Sequence, residues 1–388
     1  MTEMVYGSVA RGAGQPILPR WWRTIDRVSL LCVFLLFAIG LLLGLAASPP
    51  LAERNGLAPF HYYNRQVLFG TLAMLVLLAF TMMSPRLVRR LGVIGFAFGF
   101  VALALLPFFG TDYGKGAVRW YSLGFGSFQP SEFLKPGFVV TAAWLIAASQ
   151  EINGPPGRIY SLVLALLTAG ILVAQPDLGQ AALFLFSWGL LYFVSGGAIA
   201  PLFGLLGAVV GAGLVAYRSY EHFARRIDGF LSGQVEPNTQ IGYAINAIRE
   251  GGFFGVGVGE GQVKWSLPDA HTDFIIAVAA EEYGLALVLL ILLLFVIITL
   301  RALVRLMRER DPFIRLAGTG LIGMFATQAL INAGVAVRLL PAKGMTLPFV
   351  SYGGSSIIAT GIMMGMLLAL TRSRPQGEIG DLLIGRRR

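Results

Sequence analysis

The chain has 388 residues, of which 56% are hydrophobic and only 13% charged, and a formal net charge of +10. A mean hydropathy of +0.72 excludes an ordinary soluble domain. Apolar runs recur from residue 28 almost to the end, so the sequence reads as all-α, one polytopic helical membrane domain, and its single cysteine, Cys32, excludes an intrachain disulfide.

Runs of spanning length place about ten helices, at 28–48, 67–83, 91–109, 133–149, 159–175, 180–196, 201–217, 272–300, 316–337 and 354–370. The segment before the first run is polar, and the run is long enough to span, so it is expected to stay as a helix and not to be cleaved. Trp21 and Trp22 beside Arg20 and Arg23 suit an interfacial anchor. With the N-terminus inside, most of the 30 Lys and Arg fall in inside segments, notably Arg86–Arg90 and Arg301–Arg315. That is the asymmetry of the positive-inside rule. Orientation and anionic lipid therefore account for the basic balance, and no nucleic acid partner is expected.

This orientation divides the chain into a cytoplasmic N-terminal segment (1–27), a single transmembrane domain (28–370) and a cytoplasmic basic tail (371–388). Both termini then lie in the cytoplasm. Residues 218–271 form a large outside loop before the eighth helix, too long for a passive connector. Within it, Glu221–Leu231 and Gln240–Glu250 carry apolar residues at helical spacing and predict two short helices on the membrane surface or over a cavity. The glycine run Gly251–Gly261 (GGFFGVGVGEG) follows, suited to tight turns or close backbone approach.

Polar residues next to or inside the apolar runs are the candidates for chemistry. Arg119 and the stretch Gly126–Lys135 (GSFQPSEFLK) form an outside loop entering a helix. Glu132 suits its first turn, and Lys135 one turn further in either pairs with Glu132 or meets an anionic headgroup. Asp177, in QPDLGQ, sits where turn chemistry is favourable. Arg119, Arg218, Arg225, Arg226, Lys264, Arg338 and Lys343 place cations on the outer face, as a pyrophosphate-linked lipid would require.

The sharpest candidate lies in Lys264–Glu282 (KWSLPDAHTDFIIAVAAEE), where Pro268 breaks the loop and Thr272 or His271 approaches an N-cap. Asp273 then falls in the first turn, where helix dipole and exposed N–H groups favour an ionised carboxylate, suited to a base. His271 either tunes it or binds substrate. Glu281 and Glu282 lie roughly 12–14 Å deeper on a continuous helix. At most one of them shares a face with Asp273, and both are expected to face the bundle interior. Finally, Leu339–Ser356 (LLPAKGMTLPFVSYGGSS) is irregular backbone expected to line a cavity before the last helix.

These segments resemble the SEDS family, the FtsW/RodA proteins of bacterial cell-wall synthesis. The matching stretches are AVRWYSLGFGSFQPSEFLK, QPDLGQ, the GGFFGVGVGEG…LPDAHTDF…EEYG block and LPAKGMTLPFVSYGGSS, in order over residues 117–356. AHTDF and LPAKGMTLP look more like the FtsW (division) branch than the RodA (elongation) branch. The resemblance implies an inverting glycosyltransferase that polymerises lipid II into glycan strands at the outer face of the inner membrane. Asp273 is similar to the family's catalytic aspartate, which would deprotonate the acceptor GlcNAc 4-hydroxyl. Undecaprenyl pyrophosphate would leave, its charge met by outer-face cations or a divalent metal (Mg or Mn). Substrate-binding residues implied are Arg119, Glu132, Lys135, Arg226, Lys264, His271, Lys343 and Ser351, with Glu281, Glu282 and Asp177 as intramembrane polar residues. A class B penicillin-binding protein (an FtsI-like transpeptidase) and other division proteins are the implied partners. A lipid II flippase and a non-catalytic scaffold are the competing readings. Polar residues near the outer surface favour the polymerase.

The chain departs from the family pattern at Thr239-Gln240, where members often carry Tyr-Gln, at Ala244, often Ser, and at Arg338, where a small residue is usual.

Overall fold

The computed structural model describes residues 17–112, 118–124, 126–231, 239–267, 269–341 and 344–373. The helices, in chain order, are α1 (Ile17–Thr24), α2 (Arg27–Arg54), α3 (His61–Thr81), α4 (Pro85–Phe109), α5 (Pro130–Ala148), α6 (Gly157–Ala174), α7 (Leu178–Val194), α8 (Ala200–Ser219), α9 (Glu221–Leu231), α10 (Gln240–Gly251), α11 (Ile275–Met307), α12 (Pro312–Ala336) and α13 (Gly354–Leu370). The strands among the described residues are β1 (Tyr121–Ser122) and β2 (Ser127–Phe128), paired antiparallel. Each expected apolar run is covered by one long helix, and 7 helices are long and apolar enough to cross a membrane. This is a polytopic helical membrane protein.

The starts are written in the sequence as caps. Asp26, Ser84, Asp177, Thr239 and Asp311 stand at N-caps, and each side chain accepts a backbone N–H from the first turn. Pro85 and Pro312 follow directly, where a missing N–H costs nothing. Hydropathy alone hid these polar first turns, which is why α3 and α4 begin about six residues earlier than their apolar runs.

The bundle is built around α5, which packs against α4, α6, α7, α12 and α13. Its residues are mostly buried, including Glu132 and Lys135. A helix surrounded by protein need not be uniformly apolar, and α5 is not one of the seven strongly apolar spans. Small residues let it approach α4 closely: a Cβ at Gly137 would lie 2.6 Å from the Phe96 nitrogen. In contrast α8 buries only Ala216 and exposes Phe203, Leu206, Val210 and Leu214, the composition of a lipid-facing helix.

At the end of α11 remote from Asp273, buried Asp26 accepts three hydrogen bonds from Arg301 at 2.8–3.2 Å and pairs with Arg305 at 3.3 Å. Arg305 also donates to the Thr371 carbonyl, and Ser373 N–H to Thr24 O, so both ends of the described chain are tied to α11. Burial acts to raise the Asp26 carboxyl, but the Arg301 and Ser29 hydrogen bonds and the Arg305 charge outweigh it and hold it below its ordinary value.

The expected continuous helix 272–300 is corrected on two points. It starts at Ile275, and it is broken at Gly284, whose backbone (φ 77°, ψ −178°) is non-helical. The break is filled by the glycine run. Val256 and Gly257 donate to the Glu281 and Glu282 carbonyls at 2.9 and 3.3 Å, while Leu285 and Ala286 donate to Gly252 and Phe253 at 3.0 and 3.2 Å. Groups orphaned by the break are thus satisfied by another part of the chain, as a low-dielectric setting demands. Any side chain at Gly255 would collide with the Glu282 carbonyl, and any at Gly284 with the Phe253 carbonyl. The two short helices of the long connection are present as expected, and α10 packs along α11.

Gly284→Ala is expected to destabilise the protein by at least the 1–3 kcal/mol or so that a strained backbone costs. Gly95→Ala, whose Cβ meets nothing within 4 Å, should be neutral or slightly stabilising. Parallel thermal unfolding in detergent checks this, and equal shifts in the two variants would count against a strained, filled break.

Candidate active site

Asp273 is held by its backbone on both sides. The Asp269 carbonyl accepts from the N–H groups of Thr272, Asp273 and Phe274 at 3.2–3.3 Å, folding 269–274 into a tight turn. Phe274, not His271 or Thr272, is the N-cap of α11, and it makes no capping hydrogen bond with its side chain. Asp273 therefore precedes the first helical turn, and the dipole contributes less than the sequence led one to expect.

Three further bonds staple this turn to neighbouring segments. Asn332 Nδ2 on α12 donates to the Asp273 carbonyl at 3.0 Å and to the Met345 carbonyl at 2.6 Å. Ser351 Oγ donates to the Thr272 carbonyl at 2.5 Å and accepts from Leu347 N–H at 2.8 Å. Tyr352 N–H donates to the His271 carbonyl at 2.9 Å. The irregular 344–353 segment is thereby fixed against the turn, leaving only a narrow cleft with no room for a water molecule, lined by Asp273, Ile331, Asn332, Val335, Gly344 and Met345. Gly344 lies directly over the carboxylate: a Cβ there would come within 3.5 Å of Asp273 Oδ2.

An aromatic wall stands beside the turn. The His271 ring lies 5.8 Å from Tyr62 and 5.5 Å from Tyr352, and the two tyrosines are 5.6 Å apart. Tyr62 belongs to the start of α3, next to an open groove lined by Phe60, His61, Asn64 and Arg65. Burial raises the Tyr352 phenol above its ordinary value, and the nearby Arg65 guanidinium opposes that shift.

Glu281 and Glu282 do face the interior, as expected, but they turn to the glycine run and the residues just after it. Glu281 accepts from Val263 and Lys264 N–H at 2.6 and 3.1 Å, and Glu282 from Gly259 N–H at 2.8 Å. Lys264 Nζ pairs with Glu282 and donates to the Gly259 carbonyl. Lys264 and Glu282 are 4% and 0% exposed. Lys264, expected among outer-face substrate cations, is instead buried with its charge committed to the fold. An acidic residue eighteen positions away is invisible to local pattern reading.

A second polar cluster sits between α5 and α7. Lys135 Nζ pairs with Glu132 at 2.7 Å, the alternative that needed no headgroup, and Gln180 Nε2 donates to the same carboxylate oxygen at 2.9 Å. Asp177 caps α7 from the adjoining turn, where burial raises its carboxyl and Arg119 opposes the shift. Arg119 donates to the Gln175 and Pro176 carbonyls at 3.3 and 2.6 Å. Lys343 and the Arg226 side chain lie outside the described residues.

The sequence reading missed Asn332, Arg65, Tyr62 and Tyr352. Asn332 carried a usable signal, a carboxamide in the middle of an apolar run. Arg65 in HYYNRQ was masked by the late expected start of its helix.

Comparison with known proteins decides the family. The family model described as "Cell cycle protein" (FtsW/RodA/SpoVE) matches residues 26–376. The chain belongs to the FtsW/RodA/SpoVE family. It is 41% identical over 370 residues to the probable peptidoglycan glycosyltransferase FtsW of Caulobacter vibrioides, covering 94% of each chain. The probable FtsW of Haemophilus influenzae is 34% identical, over 93% of this chain and 95% of the relative. Among solved structures it resembles a chain of a peptidoglycan synthase complex coordinating polymerization and crosslinking (TM-score 0.75, 27% identity, 91% of this chain and 99% of that one). It also resembles RodA of Thermus thermophilus (TM-score 0.66, 26% identity, 92% of this chain and 99% of that one).

Lys264→Met is expected to cost about 3–5 kcal/mol of stability, because it strands a buried carboxylate. Lys264→Met with Glu282→Gln should recover part of that loss in detergent melts. A Lys264→Met protein as stable as the parent but poor in substrate affinity would return Lys264 to the substrate-binding set.

Proposed function

We propose that the chain is a peptidoglycan glycosyltransferase that polymerises lipid II at the outer face of the bacterial inner membrane during septal synthesis. The observation that carries this reading is Asp273, a carboxylate on a turn stapled by α12 and the 344–353 segment, with its side chain at a narrow cleft. Such anchoring fixes the position of a base through its backbone. The names borne by the relatives support the division branch.

Asp273 removes the proton from the 4-hydroxyl of the acceptor GlcNAc, and that oxygen attacks the anomeric carbon of the lipid-linked strand from the opposite face. The bond between anomeric carbon and pyrophosphate oxygen breaks. Undecaprenyl pyrophosphate leaves with the electron pair, and configuration inverts. Cations at this end then matter for the leaving group: Arg65 in the groove, Arg119 against the α6–α7 turn, and by sequence position Lys343. Among the described residues no group of three His, Cys, Asp or Glu could hold a metal ion. No step is routed through the Mg or Mn ion.

The orientation follows from the charges. Arg301–Arg315 and Arg86–Arg90 face the cytoplasm with both termini, which puts Asp273 on the periplasmic side. The residue division of the sequence reading (1–27, 28–370 with the 218–271 periplasmic loop, 371–388) follows with it. A class B penicillin-binding protein fits as partner, because one structural neighbour works within a synthase complex, and other division proteins would assemble around the pair. A flippase would need Glu281 and Glu282 to line a headgroup path. Their hydrogen bonds go to the glycine run and Lys264, which favours the polymerase.

Asp273→Asn is expected to fold and bind the transpeptidase normally while losing at least about a hundredfold in polymerisation of purified lipid II. Gel analysis of glycan products, with and without partner, checks this. Undiminished chain formation by the variant would return the flippase and the scaffold to contention.

A further inference from the structure

The carbonyl that precedes Ser351 is held by a side chain from another part of the bundle. Gln66, in the second turn of α3 and 3% exposed, donates through Nε2 to the carbonyls of Gly40 on α2 and Val350 at 3.1 and 3.2 Å. Two carbonyls at one end of the amide settle which end is nitrogen. A carboxamide buried within a spanning helix is costly unless its bonds are made, so its placement points to a task. The backbone it grips is strained. Phe349, immediately before Val350, is buried with φ at 64°, a conformation that a bulky residue seldom adopts. Such a turn persists only where its surroundings over-determine it. Here α2 presses from one side, since a Cβ at Gly40 would lie 2.6 Å from the Phe349 carbonyl oxygen, and Phe325 of α12 packs on the Phe349 ring with centroids 6.3 Å apart. Both polar groups of the Val350–Ser351 peptide are committed, the carbonyl to Gln66 and the Ser351 N–H to the Leu347 carbonyl at 3.0 Å.

We propose that Gln66 is a positioning residue for the glycan-forming step: by fixing the Val350–Ser351 peptide it sets the Ser351 hydroxyl, and through that hydroxyl the turn that carries Asp273. The inference rests on the glycosyltransferase reading above. The link is short and continuous. A peptide unit is planar, so holding its oxygen and its N–H fixes the direction in which the chain continues. From there Ser351 Oγ donates to the Thr272 carbonyl at 2.5 Å, and Tyr352 N–H donates to the His271 carbonyl at 2.9 Å. The Thr272 carbonyl belongs to the peptide that joins Thr272 to Asp273, so the hold reaches the base through one covalent unit. Asn332 grips the same turn from α12, at the Asp273 carbonyl. Gln66 supplies the other support, from α2 and α3, and the turn is set between the two. Buried as it is, Gln66 acts through Ser351 and not on the substrate.

The test uses full-length protein with its transpeptidase partner and purified lipid II, with rates expressed per folded protein. Gln66→Met keeps the unbranched shape and loses the amide. It is expected to lose at least about tenfold in kcat with KM within about twofold of the parent, because misplacing a reacting group by about 1 Å costs on the order of a hundredfold. Ser351→Ala should show the same split. The double variant tells a shared link from two unrelated packing defects. Residues of one link act as a unit, so Gln66→Met with Ser351→Ala should be no more than about twofold slower than the slower single variant, whereas independent effects multiply. Full kcat in Gln66→Met, a loss confined to KM, or multiplied losses in the double variant each overturn the proposal. If Gln66→Met does not fold, Gln66→Asn stands in: it keeps the amide but is a methylene too short to reach both carbonyls. It must show the same loss in kcat, and full kcat there overturns the proposal. Asp273→Asn is assayed alongside; full activity in that variant overturns the glycosyltransferase reading and this inference with it. Full kcat in Gln66→Met beside an inactive Asp273→Asn overturns this inference alone.

Discussion

The interruption of α11 at Gly284 is the constraint from which the Asp273 end of the molecule follows. A break in a membrane-embedded helix exposes carbonyl and N–H groups that lipid cannot satisfy. Here the glycine run supplies four of the missing bonds, through Val256, Gly257, Gly252 and Phe253. Glu281 and Glu282, immediately before the break, receive the N–H groups of the returning chain, and Lys264 neutralises the second of them. The result is a short helical segment, Ile275–Tyr283, braced from two directions, with Asp273 at its head. Charges that would be costly alone are affordable here because each has a partner.

Polar groups in this protein divide into those that close on themselves and those that line an opening. The Asp26–Arg301–Arg305 knot and, apart from the unpaired Gln180 Oε1, the Glu132–Lys135–Gln180 cluster are of the first kind, with donors and acceptors drawn from several helices. They hold a bundle in which apolar burial gives little direction, because lipid competes on equal terms with Leu and Val. The turn at Asp273 is of the second kind. Its backbone is fully engaged by Asn332, Ser351 and Tyr352, while the crevice is bounded by Asp273, Asn332 and the bare Gly344. Rigidity of the frame is what a base acting on a bulky lipid-linked sugar requires.

Much of this was legible in the chain itself, for stated physical reasons. Spanning runs are long and uniform, so the helix plan emerged from hydropathy, and Asp177 was placed on its turn, whereas the caps at Asp26 and Asp311 went unread because hydropathy hides polar first turns. Asp273 stood out as a carboxylate at the mouth of an apolar run. The pairing of Lys264 with Glu282 was not legible, because it depends on a break that no local propensity announces: one glycine in an otherwise helical stretch reads as tolerated. Asn332 was legible in principle and passed over, since attention went to charges and a carboxamide carries none. The aromatic wall of Tyr62, His271 and Tyr352 joins three distant segments and has no sequence signature at all.

The threading of the glycine run through α11 has an evolutionary corollary. Gly255 and Gly284 each abut a carbonyl belonging to the other's segment, so neither can acquire even a methyl group while its counterpart stays where it is. Drift toward a bulkier loop would need coordinated change at both places, with every intermediate carrying a collision. The pair acts as a ratchet: from the interlocked arrangement, single-step departure is sterically closed off.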